Sequence, residues 1–320
     1  MKINNRNSFK LRYDNRVKYI ISLIFFIIFF FFIELTHPNH LAQYLKGKKK
    51  IFTFWEPRGK IPGYLQLCMK TWKKFLPEYE IRLLDYQKSK VYLGDKLFSN
   101  IICKNMTLPI QADAIRVAIL HEYGGIWMDV DNIILNGSFI KDIKNCELAM
   151  IGNNQTKMKD MAFIYATSNS SLLDKWLKEL IFKVKYFKKF IHSSKKNNIH
   201  RNNSLKNIKI WNYLGNGIID KLAINASKTE FYDIDRNALN VFPERTFFKN
   251  SSLNNIKKYK LFYFKNRDIH LIINNTKNIL LLHNSWTPLK YKQKTKDEFL
   301  KENVLLSKLL KSLLNIKKKF

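Results

Sequence analysis

Residues Leu108–Leu135, LPIQADAIRVAILHEYGGIWMDVDNIIL, constrain this chain more than any other stretch. Pro109 stands where a helix start tolerates proline, and Gln111–Tyr123 reads as a helix stopped by Gly124-Gly125. Ile126–Asp131 then alternates as a strand, with Ile126, Met128 and Val130 on one face. Trp127, Asp129 and Asp131 fall on the other. Two carboxylates at i and i+2 of a strand lie roughly 6.5–7 Å apart and point the same way. Neither has a cation near it in sequence. Like charges buried together repel, so a positive group is expected between them. Hard oxygen ligands suit Mg²⁺ or Mn²⁺, ions that typically bridge a diphosphate to a protein.

The stretches around it alternate in kind. Ile51–Trp55 (IFTFW) is a short β-branched and aromatic run closed by Pro57 and Gly59, hence a strand. Tyr64–Phe75 has helical spacing and ends before Pro77, and Glu80–Leu84 is a second strand. Strand, helix, strand predicts a βαβ unit and a parallel sheet, so the fold class is α/β. Leu172–Phe187 is a further amphipathic helix, residues 192–209 a polar loop, and Lys277–His283 a late buried strand. From Asp297 the tail sets Leu300, Val304, Leu305, Leu309, Leu313 and Ile316 among lysines. Such a basic amphipathic helix packs on the core or lies on a membrane.

Charge is lopsided, with 57 Lys+Arg against 25 Asp+Glu and a formal +32. That excess favours anionic surfaces: acidic lipid, nucleic acid or phosphorylated substrates. The chain is also rich in Asn and Ile, so part of the lysine excess reads as compositional drift. No helix-turn-helix, zinc-finger, RRM or KH signature is present, which argues against nucleic acid as a partner. Cys68, Cys103 and Cys146 form no C-x-x-C pair and read as small buried hydrophobes of a reducing compartment. Residues 1–18 are polar and basic, and Tyr19–Ile33 is an apolar run interrupted only by Ser22. Its fifteen residues fall short of the ~20 of an untilted span. Yet no core strand needs such a run, and THPNHLAQ offers a poor cleavage site. A single uncleaved membrane anchor over 19–35 is expected, followed by a linker over 36–50.

The D-x-D inside ADAIRVAILHEYGGIWMDVD stands with A-D-x-x-R, Gly-Gly and, near the end of the chain, LLHNSW. In that order these elements resemble the DXD-containing glycosyltransferases of family 32, and within them the capsular polysaccharide synthesis proteins. IFTFWEPRGKIPGYLQLCMKTWKKFLPEYEIRLLD is similar to the family's first strand, helix and second strand, so the likeness covers about residues 50–290. A bare D-x-D arises often by chance; the ordered combination does not. The resemblance implies a GT-A fold, a Rossmann-like nucleotide-sugar-binding α/β sandwich, over 51–290, with 291–320 as the basic C-terminal helix. It also implies metal-dependent hexosyl transfer with retention, from a UDP- or GDP-sugar donor. The acceptor would be a glycan or lipid-linked glycan in capsule or surface polysaccharide synthesis.

Carried over residue by residue, Asp131 would bind Mn²⁺ or Mg²⁺ directly, and Asp129 would contact the ribose or reach the metal through water. His283, with Asn284 or Ser285, would complete the coordination, and Trp286 would close over the donor. Asp113 and Arg116 would hold the donor sugar's hydroxyls and phosphate, with Arg116 joining the two aspartates in catalysis. Phe54 and Trp55 would flank the base. Residues 192–209 match no family pattern, and Gly215-Asn216-Gly217 stands where the family has Gly-Pro. Acceptor contacts are therefore not carried over.

Plainer readings compete. Asp113 and Arg116 are i, i+3 on a helix, the spacing of an ordinary surface ion pair. A lone His283 suits a structural role, and Trp55, Trp286, Tyr123 and Trp127 suit packing. A rival class is a non-catalytic membrane-surface protein that binds anionic lipid or glycan through a basic face. It leaves two adjacent acids in so basic a chain unexplained. Six positive charges precede the apolar run, but Lys46, Lys48, Lys49 and Lys50 follow it, so a cytoplasmic N-terminus is favoured only slightly. In a bacterium that orientation would separate the enzyme from nucleotide sugar. The expected location is thus the cytoplasmic face of a bacterial inner membrane, or the Golgi lumen in a eukaryote.

Overall fold

A computed structural model describes residues 49–152, 158–168, 170–196 and 213–316. The basic segment, the anchor and nearly all of the linker lie outside the described residues. Among the described residues no helix is long and apolar enough to cross a membrane. In chain order the principal elements are β1 (Lys50–Phe54), α1 (Gly63–Phe75), β2 (Glu80–Leu84), α2 (Tyr86–Ile101), α3 (Leu108–Tyr123), β3 (Gly125–Met128) and β4 (Asn132–Ile134). They continue with β5 (Leu148–Gly152), β6 (Lys159–Ala166), α4 (Ser171–Lys196), α5 (Asn216–Leu222), β7 (Phe231–Asp235) and α6 (Pro243–Phe247). The last are α7 (Asn255–Tyr263), β8 (Ile279–Leu281), α8 (Lys296–Lys301) and α9 (Leu305–Leu313).

Six strands form a mixed sheet in the order β2-β1-β3-β6-β5-β7, and β4 pairs with β8 in a separate ribbon. β1 lies parallel to both β2 and β3, as the strand-helix-strand signal predicts, whereas β6 runs antiparallel to β3 and β5. All five residues of β1 are buried, as befits a strand covered on both faces. Alternation sends its side chains to two layers. Phe52 and Phe54 join Ala114, Val117 and Ala118 of α3, while Ile51 joins Trp72 of α1. β3 repeats the split, with Trp127 on the α3 side and Ile126 and Met128 on the α1 side. The glycines between α3 and β3 have a steric reason. Gly124 and Gly125 adopt φ of 60° and 102°, and a Cβ on Gly125 would lie 2.8 Å from the Lys50 carbonyl oxygen of β1. Only a residue without a side chain lets the strand turn in against its neighbour.

Several expectations need correction. The strand does not run to Asp131: β3 ends at Met128, and the Asn132 N–H donates to the Asp129 carbonyl at 3.0 Å, closing a turn. The Asp129 N–H and the Asn132 side-chain amide both donate to the Ala162 carbonyl of β6, at 2.9 and 2.7 Å, which pins the turn to the sheet. Asp129 and Asp131 therefore sit on a turn and not on one face of a strand. The late strand is shorter than 277–283 and covers Ile279–Leu281. α4 runs on to Lys196, so residues 192–196 are helical and not loop, and residues 197–212 lie outside the described residues. The tail is two helices, not one. α9 buries Leu305, Leu306, Leu309 and Leu310 against Tyr64, Leu65 and Tyr259, which settles the tail's apolar face on the core. All three cysteines are free and buried.

Candidate active site

The β4–β8 ribbon is what assembles the site. Asn132 pairs with Leu281, so the residues just before β4 (Asp129–Asp131) meet those just after β8 (His283–Trp286). Trp72 of α1, fully buried, fixes the ribbon by donating from Nε1 to the Asn132 carbonyl at 2.8 Å. At the meeting point the Asn284 backbone N–H donates to Asp131 Oδ2 at 2.7 Å. The Asn284 side-chain oxygen in turn accepts from the Tyr64 hydroxyl of α1 at 2.6 Å.

Asp131 is buried, and no Lys, Arg or His lies within ion-pair distance of it among the described residues. Burial, followed by the negative charge of Asp129, pushes its carboxyl up to about 7, against the pull of the Asn284 N–H. Asp129 is held differently. Its Oδ1 accepts from Trp127 Nε1 at 2.9 Å and lies 3.3 Å from an Arg116 guanidinium nitrogen.

Arg116 projects from α3 and is only 5% exposed. Its guanidinium also contacts Asp113 at 3.2 Å, donates to the Met161 carbonyl and stacks 5.2 Å over the Trp127 ring. The i, i+3 ion pair with Asp113 thus exists, but it is buried and shared with Asp129. The contacts of Arg116 among the described residues run to Asp113, Asp129, the Met161 carbonyl and the Trp127 ring. Asp113 is buried too, with its Oδ2 2.9 Å from where a Cβ on Gly215 would stand. Burial pushes it up to about 7, with Arg116 opposing and Asp129 adding.

His283 sits in an aromatic nest, stacked on Phe242 with ring centroids 5.4 Å apart and 3.8 Å from Trp286. Burial, then Arg245, lowers it to about 4, and its buried Nε2 has no hydrogen-bond partner. Among the described residues no three His, Cys, Asp or Glu side chains converge closely enough to hold a metal between them. His283 is therefore not gathered with the two aspartates into one cluster. Ser285 is exposed, and Trp286 half-buried beside Tyr259. Phe54 packs edge-on to Tyr86 in the core, while Trp55, half-buried at the end of β1, donates to the Lys60 carbonyl.

Residues without a sequence signal also face this centre. Asp160 of β6 is raised by burial, with Asp129 adding to the rise and Arg236 and Arg245 opposing it. The Arg245 guanidinium lies 4.0 Å over the Phe242 ring and that of Arg236 5.6 Å, on the same ring that carries His283. Lys292 is lowered by burial while the charge of Asp131 pulls the other way. Asp160 thus feels Arg236 and Arg245, and Asp131 and Lys292 feel each other's charge. The pair Asp129 and Asp131 fits a hard divalent cation by donor chemistry: two oxygen ligands, mutual repulsion, and no ion-pair partner on Asp131.

A family model described as capsular polysaccharide synthesis protein matches residues 31–280, well over half of the chain. The chain belongs to that family. The capsular polysaccharide synthesis match takes in Asp113, Arg116, Asp129 and Asp131 and ends within β8, just short of His283. No curated protein matches the chain. Among solved structures it is similar to one titled PaToxG Glycosyltransferase, at 12% identity and a TM-score of 0.34, covering 86% of this chain and 93% of that one. At that level the likeness bears on neither fold nor function.

Proposed function

We propose that this protein is a glycosyltransferase of capsular polysaccharide synthesis with a GT-A arrangement of its sheet. It would move a hexosyl group from a UDP- or GDP-sugar to a hydroxyl of a glycan or lipid-linked glycan. The observation that carries the reading is the turn Asp129–Asp131 locked against Asn284, two acids brought together in a chain of formal charge +32. Asp131 and Asp129 would hold Mn²⁺ or Mg²⁺, which when bound supplies Lewis-acid neutralisation of the diphosphate leaving group. Arg116 and Trp127 orient the Asp129 carboxylate, so their role is positioning. Arg236, Arg245 and Lys292 bring positive charge to the same centre and suit the oxygens of a diphosphate. Trp55 and Trp286 would border the donor.

Retention of anomeric configuration is the stereochemistry the family resemblance implies. The leaving phosphate would take the acceptor's proton on the same face, and a trapped covalent glycosyl-enzyme would overturn that route. The apolar run at 19–35 would hold the enzyme at a membrane, with its catalytic domain on the cytoplasmic side in a bacterium. Calorimetry tests the donor reading directly. Binding of UDP or GDP that requires Mn²⁺ and disappears in EDTA is expected. A folded protein that binds neither nucleotide under any metal condition contradicts it.

A further inference from the structure

Helix α4 presents two unlike faces. Leu172, Trp176, Leu180, Val184 and Phe187 enter the core beneath it. On the opposite side Phe182 and Tyr186 stand 65% and 62% exposed, one turn apart. Around them Lys175, Lys178, Lys185 and Lys189 are exposed as well. At 100° per residue these six side chains fall within about a third of the helix circumference. Two acids, Asp174 and Glu179, border the stripe. Lys178 is partly engaged, pairing with Asp174 at 2.6 Å. The neighbouring Lys183 and Lys188 turn away to the carbonyls of Tyr213 and Ser99.

A run of lysines alone is an ordinary solvated face. Two large aromatic rings set within it are not, since single exposed apolar residues are common but paired ones on a basic stripe mark a surface that is covered in use. Aromatic rings at the headgroup level, flanked by lysines that reach phosphate, are the chemistry of an interfacial helix on an anionic bilayer. The face is a single convex helix surface, which suits a plane better than it suits a sugar chain, whose sites are concave and lined with groups for hydroxyls.

We propose that the outer face of α4 docks on an anionic membrane surface, with Phe182 and Tyr186 entering the headgroup layer and Lys175, Lys185 and Lys189 pairing with lipid phosphates. This inference rests neither on the glycosyltransferase reading nor on the apolar run at 19–35.

The chain's three cysteines are all buried, so Glu179→Cys introduces an accessible thiol on the stripe without touching the lysines or the aromatics. The full-length variant, carrying an environment-sensitive fluorophore at that thiol, is reconstituted into vesicles of phosphatidylcholine with or without phosphatidylglycerol. A blue shift and quenching by nitroxide-labelled lipid are expected in the phosphatidylglycerol vesicles and not in the neutral ones. Both should be lost when Phe182→Ser and Tyr186→Ser are added, and weakened by Lys185→Glu with Lys189→Glu, folding being checked by circular dichroism. Equal emission in the two vesicle types overturns the proposal, because the apolar run is present in both. A shift produced by a soluble acidic polysaccharide and not by anionic vesicles overturns it equally and assigns the face to glycan.

Discussion

The backbone N–H of Asn284 donates a 2.7 Å hydrogen bond to Asp131 Oδ2 across 153 positions of sequence. That contact joins the D-x-D turn to the His283–Trp286 segment and leaves Asp131 buried, raised to about 7 and with no ion-pair partner in contact among the described residues.

Asp131→Asn removes the buried charge and keeps the shape. The variant is expected to melt no lower than the parent in EDTA near neutral pH. Mn²⁺ should raise the melting temperature of the parent through binding linkage and leave that of the variant unmoved. Equal Mn²⁺ shifts in the two proteins would place the metal elsewhere.

Trp127→Phe takes one of the two side-chain donors from Asp129 while preserving most of the packing. Outer-shell losses of this kind weaken metal affinity by about 10–100-fold. Titration of Mn²⁺ against turnover or melting should show that rise in half-saturation with the fold intact. Arg116→Ala is expected to be harsher, destabilising by about 3–5 kcal/mol, because it strands Asp113 and Asp129 together. Full stability in Arg116→Ala would show that the buried pair is not the support described.

Glu244 gives a pH signature away from the aspartate turn. Burial pushes it up to about 7, while Arg245 and the Tyr263 hydroxyl favour its charged form. The unfolded value is about 4.3, so between the two the folded state holds more protons and stability falls as pH rises. Asp113 and Asp131 act with the same sign. Glu244→Gln should therefore shrink the drop in melting temperature between about pH 5 and about pH 7.5. An unchanged drop would mean that Glu244 is charged throughout.

Gly125→Ala tests the seam between α3 and the sheet. The backbone φ of 102° and the Lys50 carbonyl 2.8 Å from the new Cβ both oppose it. A loss of at least about 1–3 kcal/mol is expected from the backbone alone, read by denaturant unfolding. A neutral effect would contradict the packing of β3 against β1.

The first strand, helix and strand are legible in the sequence because their signals are local: IFTFW is β-branched or aromatic throughout, α1 stops before Pro77, and β2 keeps its predicted ends. The D-x-D turn is not. Alternation continues through Asp131, but what ends the strand is the Ala162 carbonyl, which takes hydrogen bonds from both Asp129 and Asn132 across a neighbouring strand. Arg116 shows the same limit. Its pair with Asp113 follows from spacing, whereas its hold on Asp129 depends on how α3 crosses the end of β3. Arg236, Arg245 and Asp160 carry no motif, and only the Phe242 ring and the path of β6 bring them to the centre.

Donor turnover by the full-length protein in detergent tests the central claim most directly. A panel of UDP- and GDP-sugars would be incubated with Mn²⁺ or EDTA, reading released nucleotide, with Asp129→Asn/Asp131→Asn as control. Release from one donor that needs the metal and vanishes in the control is the predicted result. Release that persists in EDTA or in the double variant would contradict the role given to the two aspartates.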